Sequence, residues 1–194
     1  MLSTTSLAAG APLNAETWAD FVARLRYDCV GEGVSEHCTA DATFLVEKRV
    51  WHAVPEDHSD TLRVYTDGDD EPLESFLARL DADELAALDQ AVEGTFSEAD
   101  SYDMAQAMAK LHPDSTLYHA MERWEFVCQH FTQGAADAFI KRKKHDYPDG
   151  LRVYVDATSY SWELNAIKAA ILSGRIGLMP QDAAQAAAKG ASES

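Results

Sequence analysis

Residues 53 to 125 carry 19 acidic side chains against 4 basic ones, and this constrains the fold more than any other feature of the chain. An ionised carboxylate is costly to bury unless it is paired. Nearly all the excess negative charge of the chain comes from this one central segment. Residues 1 to 52 hold 7 acids and 4 bases, and residues 126 to 194 hold 7 acids and 8 bases. The three net values, -3, -15 and +1, make up the formal charge of -17. A surface of this kind repels nucleic acid and attracts a basic partner. The competing explanation is that the acidity serves solubility alone.

Length and composition point to one ordinary globular domain. The chain has 194 residues, 46% of them hydrophobic and 25% charged, enough to bury a core without metals or staples. The expected organisation is disorder over 1–13, one α+β domain over 14–176, and disorder or a frayed helix over 177–194, where QDAAQAAAKGASES offers no apolar face. The first thirteen residues lack the basic start and apolar run of a secretory signal, and no stretch approaches the roughly 18 apolar residues of a membrane span. A cytoplasmic protein with no membrane association is expected. Cys29, Cys38 and Cys128 are odd in number and irregularly spaced, so they read as reduced and free of metal. His37 beside Cys38 and the Cys128, Gln129, His130 triplet lack zinc-ligand spacing.

The expected fold class is α+β, a mostly helical single domain with a small sheet of about three strands. Asn14 is an N-cap for a helix whose apolar face is Trp18, Phe21, Val22 and Leu25. Thr43 to Val54 and Leu62 to Tyr65 are rich in β-branched and aromatic residues and read as two antiparallel neighbours. Pro72 opens a helix through Leu73, Phe76, Leu77 and Leu80; Asp81 and Glu84 form a capping box for the next; Met104, Met108 and Leu111 mark a third. Ser115 is read as capping a helix through Leu117, Met121, Trp124, Cys128 and Phe131, and Thr132 as capping one through Ala136, Phe139 and Ile140. A strand over Leu151 to Val155 and a helix over Trp162 to Leu172, ended by Gly174, complete the reading. Trp18, Phe21, Leu25, Phe76, Leu80, Trp124, Phe131, Phe139, Ile140, Val153 and Ile167 are expected to be buried together. Leu62 to Asp67 (LRVYTD) and Leu151 to Asp156 (LRVYVD) match at five of six positions, which fits either a duplicated strand-helix unit or two independent strands.

The acids Asp67, Asp69, Asp70, Glu71 and Glu74 lack cation-loop spacing, because an EF-hand loop begun at Asp67 places Pro72 where Gly belongs and Ala78 where the bidentate Glu belongs. Their position before and within the first turn of the Leu73 helix suits the helix dipole. Lys141 to Lys144 suits the last turn of a helix for the mirror-image reason, which argues against direct nucleic-acid binding. No GxSxG, GxGxxG or Walker loop occurs, and no acid-x-Lys follows Pro148 and Asp149. No catalytic residue and no cofactor is assigned.

The segment Trp124 to Leu172 resembles a group of uncharacterised small acidic proteins of phages, plasmids and other mobile elements. The residues that carry the resemblance are Trp124, Glu125, Phe126, Val127, Phe131, Thr132, the Lys144, His145, Asp146 end, the RVYVDA strand, and Trp162 with Ala166 and Ile167. The resemblance implies a mobile-element setting, in which such proteins inhibit or regulate host machinery by binding it. The expected function is thus a non-enzymatic acidic binding protein directed at a basic host protein surface, nucleic-acid-handling or defence machinery included. The partner-binding residues would be Asp69, Asp70, Glu71, Glu74, Asp81, Asp83 and Glu84, exposed on neighbouring helix starts. The alternative is a small hydrolase or nucleotide-modifying enzyme with a dispersed carboxylate site.

Overall fold

The computed structural model describes residues 6–179; the expectations for 1–5 and 180–194 lie outside the described residues. The elements in chain order are α1 (Ala15–Cys29), α2 (Gly33–His37), β1 (Ala42–Ala53), β2 (Thr61–Thr66), β3 (Asp69–Pro72), α3 (Leu73–Arg79), α4 (Ala82–Ala91), α5 (Ser101–Leu111), β4 (Ser115–His130), α6 (Gln133–Lys143), β5 (Leu151–Ala157) and α7 (Trp162–Leu172). The strands form one antiparallel sheet in the order β3-β2-β4-β1-β5. A mostly helical domain with about three strands is therefore not what the sequence folds into.

Two elements account for the difference. Residues 115–130 form a 16-residue strand rather than a helix, and β4 lies between β1 and β2, so those two strands are not neighbours. Thr61 to Thr66 pair with Ser115 to Ala120. Asp69 to Pro72 form the second difference. Asp67 and Gly68, with φ of 51° and 98°, make the two-residue turn of a β-hairpin, for which Asp-Gly supplies the needed positive φ values, and β3 folds back on β2 with Tyr65 opposite Asp70. The acids before Leu73 thus sit on an edge strand and not on a helix start.

The chain divides into two compact units, residues 50–123 and residues 1–49 with 124–194. In the first, Val64, Leu73, Phe76, Leu88, Phe96, Met104, Ala107 and Met108 form one buried cluster. The acids at its helix starts satisfy nearby backbone donors. Asp81 accepts from the N–H groups of Asp83 and Glu84 at 2.9 Å each, and Glu84 returns a bond to Asp81 N–H. Asp100 caps α5 in the same way through Tyr102 and Asp103.

The second unit has two clusters. Ala42, Phe44, Val46 and Ala136 are buried, with Phe139, Ile140, Leu151, Val153 and Val155 against them. Leu25, Cys29 and Ile171 are buried against Trp18, Phe21, Val22 and Leu172. Eight of the eleven residues expected to be buried together are consequently distributed over three clusters, Trp124 is half-buried outside them, and Phe131 and Ile167 are exposed, at 42% and 46%. Phe131 lies just beyond the end of β4, so the helical stripe that suggested its burial does not exist.

Helix α1 is anchored at its start by a reciprocal cap. Asn14 Oδ1 accepts from Glu16 and Thr17 N–H, and Thr17 Oγ1 accepts from Asn14 N–H at 2.9 Å. Asn14→Ala is expected to cost about 1 kcal/mol in urea unfolding, and Asn14→Asp close to nothing, because aspartate offers the same acceptor. The two LRVY segments are both strands, β2 and β5, but only β5 leads directly to a helix. Arg63 lies over the Trp51 ring at 4.6 Å and Arg152 over Trp124 at 4.3 Å.

Candidate functional site

The acidic excess belongs to one compact unit. Residues 50–123 hold 18 acids and 4 bases, and 16 of those acids are exposed. Four cations cannot neutralise them, so the surface of this unit carries a large uncompensated negative charge.

The seven acids singled out in the sequence occupy three different settings. Asp70 is the most engaged: its carboxylate accepts from Arg63 Nε at 3.1 Å through both oxygens and from the Tyr118 hydroxyl at 2.8 Å. Arg63 is 2% exposed, so Asp70 compensates a buried guanidinium and its charge is not available in full to a partner. The Tyr118 hydroxyl is pushed up to about 12, by burial first and by its bond to Asp70 second. Glu71, next along β3, is paired with Arg79 at 2.8 Å. Asp81 and Glu84 form the capping box of α4 yet remain exposed. Asp69, Glu74 and Asp83 are exposed on β3, α3 and α4, and they present their charge to solvent most directly. The hairpin position of Asp69, Asp70 and Glu71 was signalled by Asp67-Gly68. The Arg63 to Asp70 pair carried no local signal, since alternation on a strand does not announce a buried arginine.

A second acid cluster lies in the other unit, in a cleft lined by Arg24, Tyr27, Asp28, Glu36, Gln133 and Asp137. Burial raises the carboxyl groups of Asp28 and Asp137 above the usual range. Asp28 also has a structural role, because its Oδ2 accepts the Gln133 N–H at 3.1 Å and so caps α6 where the Thr132 side chain makes no capping bond. Glu36 accepts from the Tyr27 hydroxyl at 2.8 Å.

Cys128 and His130 meet because strand residues two apart share a face, with Sγ 3.3 Å from Nε2. Burial pushes the Cys128 thiol up and, with nearby Arg142, pushes the His130 imidazole down. Both shifts favour neutral groups, the reverse of the thiolate and imidazolium pair of a cysteine nucleophile. Cys29 is buried, Cys38 exposed, and all three thiols are free. Among the described residues no group of three or more His, Cys, Asp or Glu could hold a metal ion, and no helix is long and apolar enough to cross a membrane. No protein-family model matches the chain, and neither the curated proteins nor the solved structures yield a match.

Proposed function

We propose that the protein acts by binding, using the negative surface of residues 50–123 against a basic face of a protein partner. The observation that supports this most is the concentration of charge: one compact unit presents 16 exposed acids while holding only 4 bases. Opposite patches accelerate association and make binding strongly salt-dependent. A partner that normally handles nucleic acid has such a basic face, and the mobile-element resemblance makes host machinery the natural target. Asp69, Glu74 and Asp83 would contribute their charge directly, whereas Asp70 and Glu71 hold the surface in shape.

Capture from a host lysate across a salt series tests the reading when the native chain is compared with an Asp69→Lys, Glu74→Lys, Asp83→Lys variant. The native chain should retain basic proteins that free DNA displaces, and the variant should lose them with its thermal midpoint nearly unchanged. Reversals in the first turns of α3 and α4, at Glu74 and Asp83, cost only about 0.3 to 1 kcal/mol each, and Asp69 is exposed on the edge strand β3. Retention that ignores salt and charge reversal alike would end the charge-based reading.

A second reading, a small hydrolase or nucleotide-modifying enzyme, draws on the cleft where Asp28 and Asp137 have raised carboxyl groups, since such shifts recur at catalytic sites. It requires turnover in a panel of nucleotides and esters that Asp137→Asn abolishes while leaving unfolding unchanged.

A further inference from the structure

A cleft of about 590 Å³ opens in the unit that carries little net charge, walled by Leu7, Leu13, Trp18, Phe21 and Phe131. The volume falls in the range of small-molecule sites, which combine apolar walls with a few placed polar groups. The aromatic wall is continuous: the Trp18 and Phe21 rings lie 5.4 Å apart, and Phe21 meets Phe131 edge-on at 6.1 Å. Its polar groups do not cancel. Asp20 and Arg24 close on each other through two bonds of 2.8 and 3.0 Å. His130 is held toward its neutral form by burial and by Arg142. Arg142 donates Nη1 to the Ala8 carbonyl at 2.7 Å, a bond that uses one of the five N–H donors of a guanidinium. Among the described residues the remaining charge of the lining is therefore one cation, and it sits in the basic last turn of α6 among Lys141 and Lys143, of which Lys143 is paired with Asp146.

We propose that this cleft binds a small amphipathic monoanion, a carboxylate on an apolar body, with the apolar part against Trp18, Phe21 and Phe131 and the carboxylate on Arg142. The match is one of charge and surface together. A neutral apolar molecule would offer no acceptor to the donors of Arg142 that the Ala8 carbonyl does not use, and a small hydrophilic anion would leave the aromatic wall wet.

Trp18 supplies its own reporter. Titration with decanoate below its micellar concentration should change the tryptophan emission of the full chain saturably, and Trp18→Phe should remove that change. Decanol should bind more weakly than decanoate, and acetate should produce no change. Arg142→Gln should weaken decanoate about tenfold, the size of a lost charged hydrogen bond, while leaving decanol unaffected, and Arg142→Lys should recover most of the affinity. Circular dichroism on each variant verifies its fold. Equal affinity for decanoate and decanol, an emission change that survives Trp18→Phe, or the absence of saturable binding would each overturn the proposal. None of these outcomes bears on the acidic surface of residues 50–123.

Discussion

Replacing Phe44 by alanine is expected to lower the unfolding free energy by about 3 to 5 kcal/mol, and the thermal midpoint by about 10 °C for a chain of this size. Phe44 is fully buried on β1, opposite Val155 of β5, in the cluster that includes Ala42, Val46 and Ala136. Its ring also meets His37 edge-on at 4.9 Å. A strand paired within a sheet cannot shift to fill the space a ring vacates without breaking ladder bonds, so most of the cavity would persist and the cost would lie toward the upper end. Phe44→Leu keeps most of the volume and should cost clearly less. Differential scanning calorimetry of the two variants measures the contrast, and equal, small losses would show that the site collapses freely.

How far the sequence could be read depended on whether a segment's neighbours are near or far along the chain. The helices at Asn14, Asp81 and Trp162 were legible because cap and stripe are local, and each forms within a residue or two of its expected start. The strand β4 was not. Leu117, Met121, Trp124, Cys128 and Phe131 recur at spacings of three and four, which imitates a helical face. On a strand, Leu117 and Met121 point to one side while Trp124 and Cys128 point to the other. The half-buried pattern of β4 blurs the alternation that would have corrected this, and the pairing partners, β2 and β1, lie about 50 or more residues away. The long-range ladder overrides the local pattern. Charge was legible in a different sense. Counting acids located the negative unit almost to its boundaries, but counting could not separate the acids that cap or pair, such as Asp81 and Asp70, from those that face solvent alone.

The sharpest expected result for the acidic unit concerns Arg63 and Asp70, where the two halves of one ion pair should behave unequally. The Arg63 side chain is 2% exposed and that of Asp70 29%, so water reaches Asp70 readily once Arg63 is removed but hardly reaches Arg63 once Asp70 is neutralised. Asp70→Asn should therefore cost about 3 to 5 kcal/mol, the range for breaking a buried pair by removing one charge, with Arg63 still held by the Asp70 carbonyl and the Trp51 ring. Arg63→Met should cost less, about 2 to 3 kcal/mol, part of it from the lost stacking on Trp51. The double variant should cost no more than Asp70→Asn alone, because the charge that makes the single variant unstable is then absent. A urea double-mutant cycle reads this directly, and additive losses would refute the coupling. Tyr118 provides an independent signal. Its hydroxyl is raised from 10 to about 12 in the folded protein, so the protonated phenol is favoured on folding. That contribution is fully present below pH 10 and is lost as pH rises through the folded value of about 12. Asp70 raises the hydroxyl and Arg63 lowers it. Ultraviolet titration should accordingly move the Tyr118 midpoint down in Asp70→Asn, without reaching 10 because burial remains, and up in Arg63→Met. Shifts of the same sign in both variants would mean that Tyr118 responds to loosening of the hairpin and not to the charges beside it.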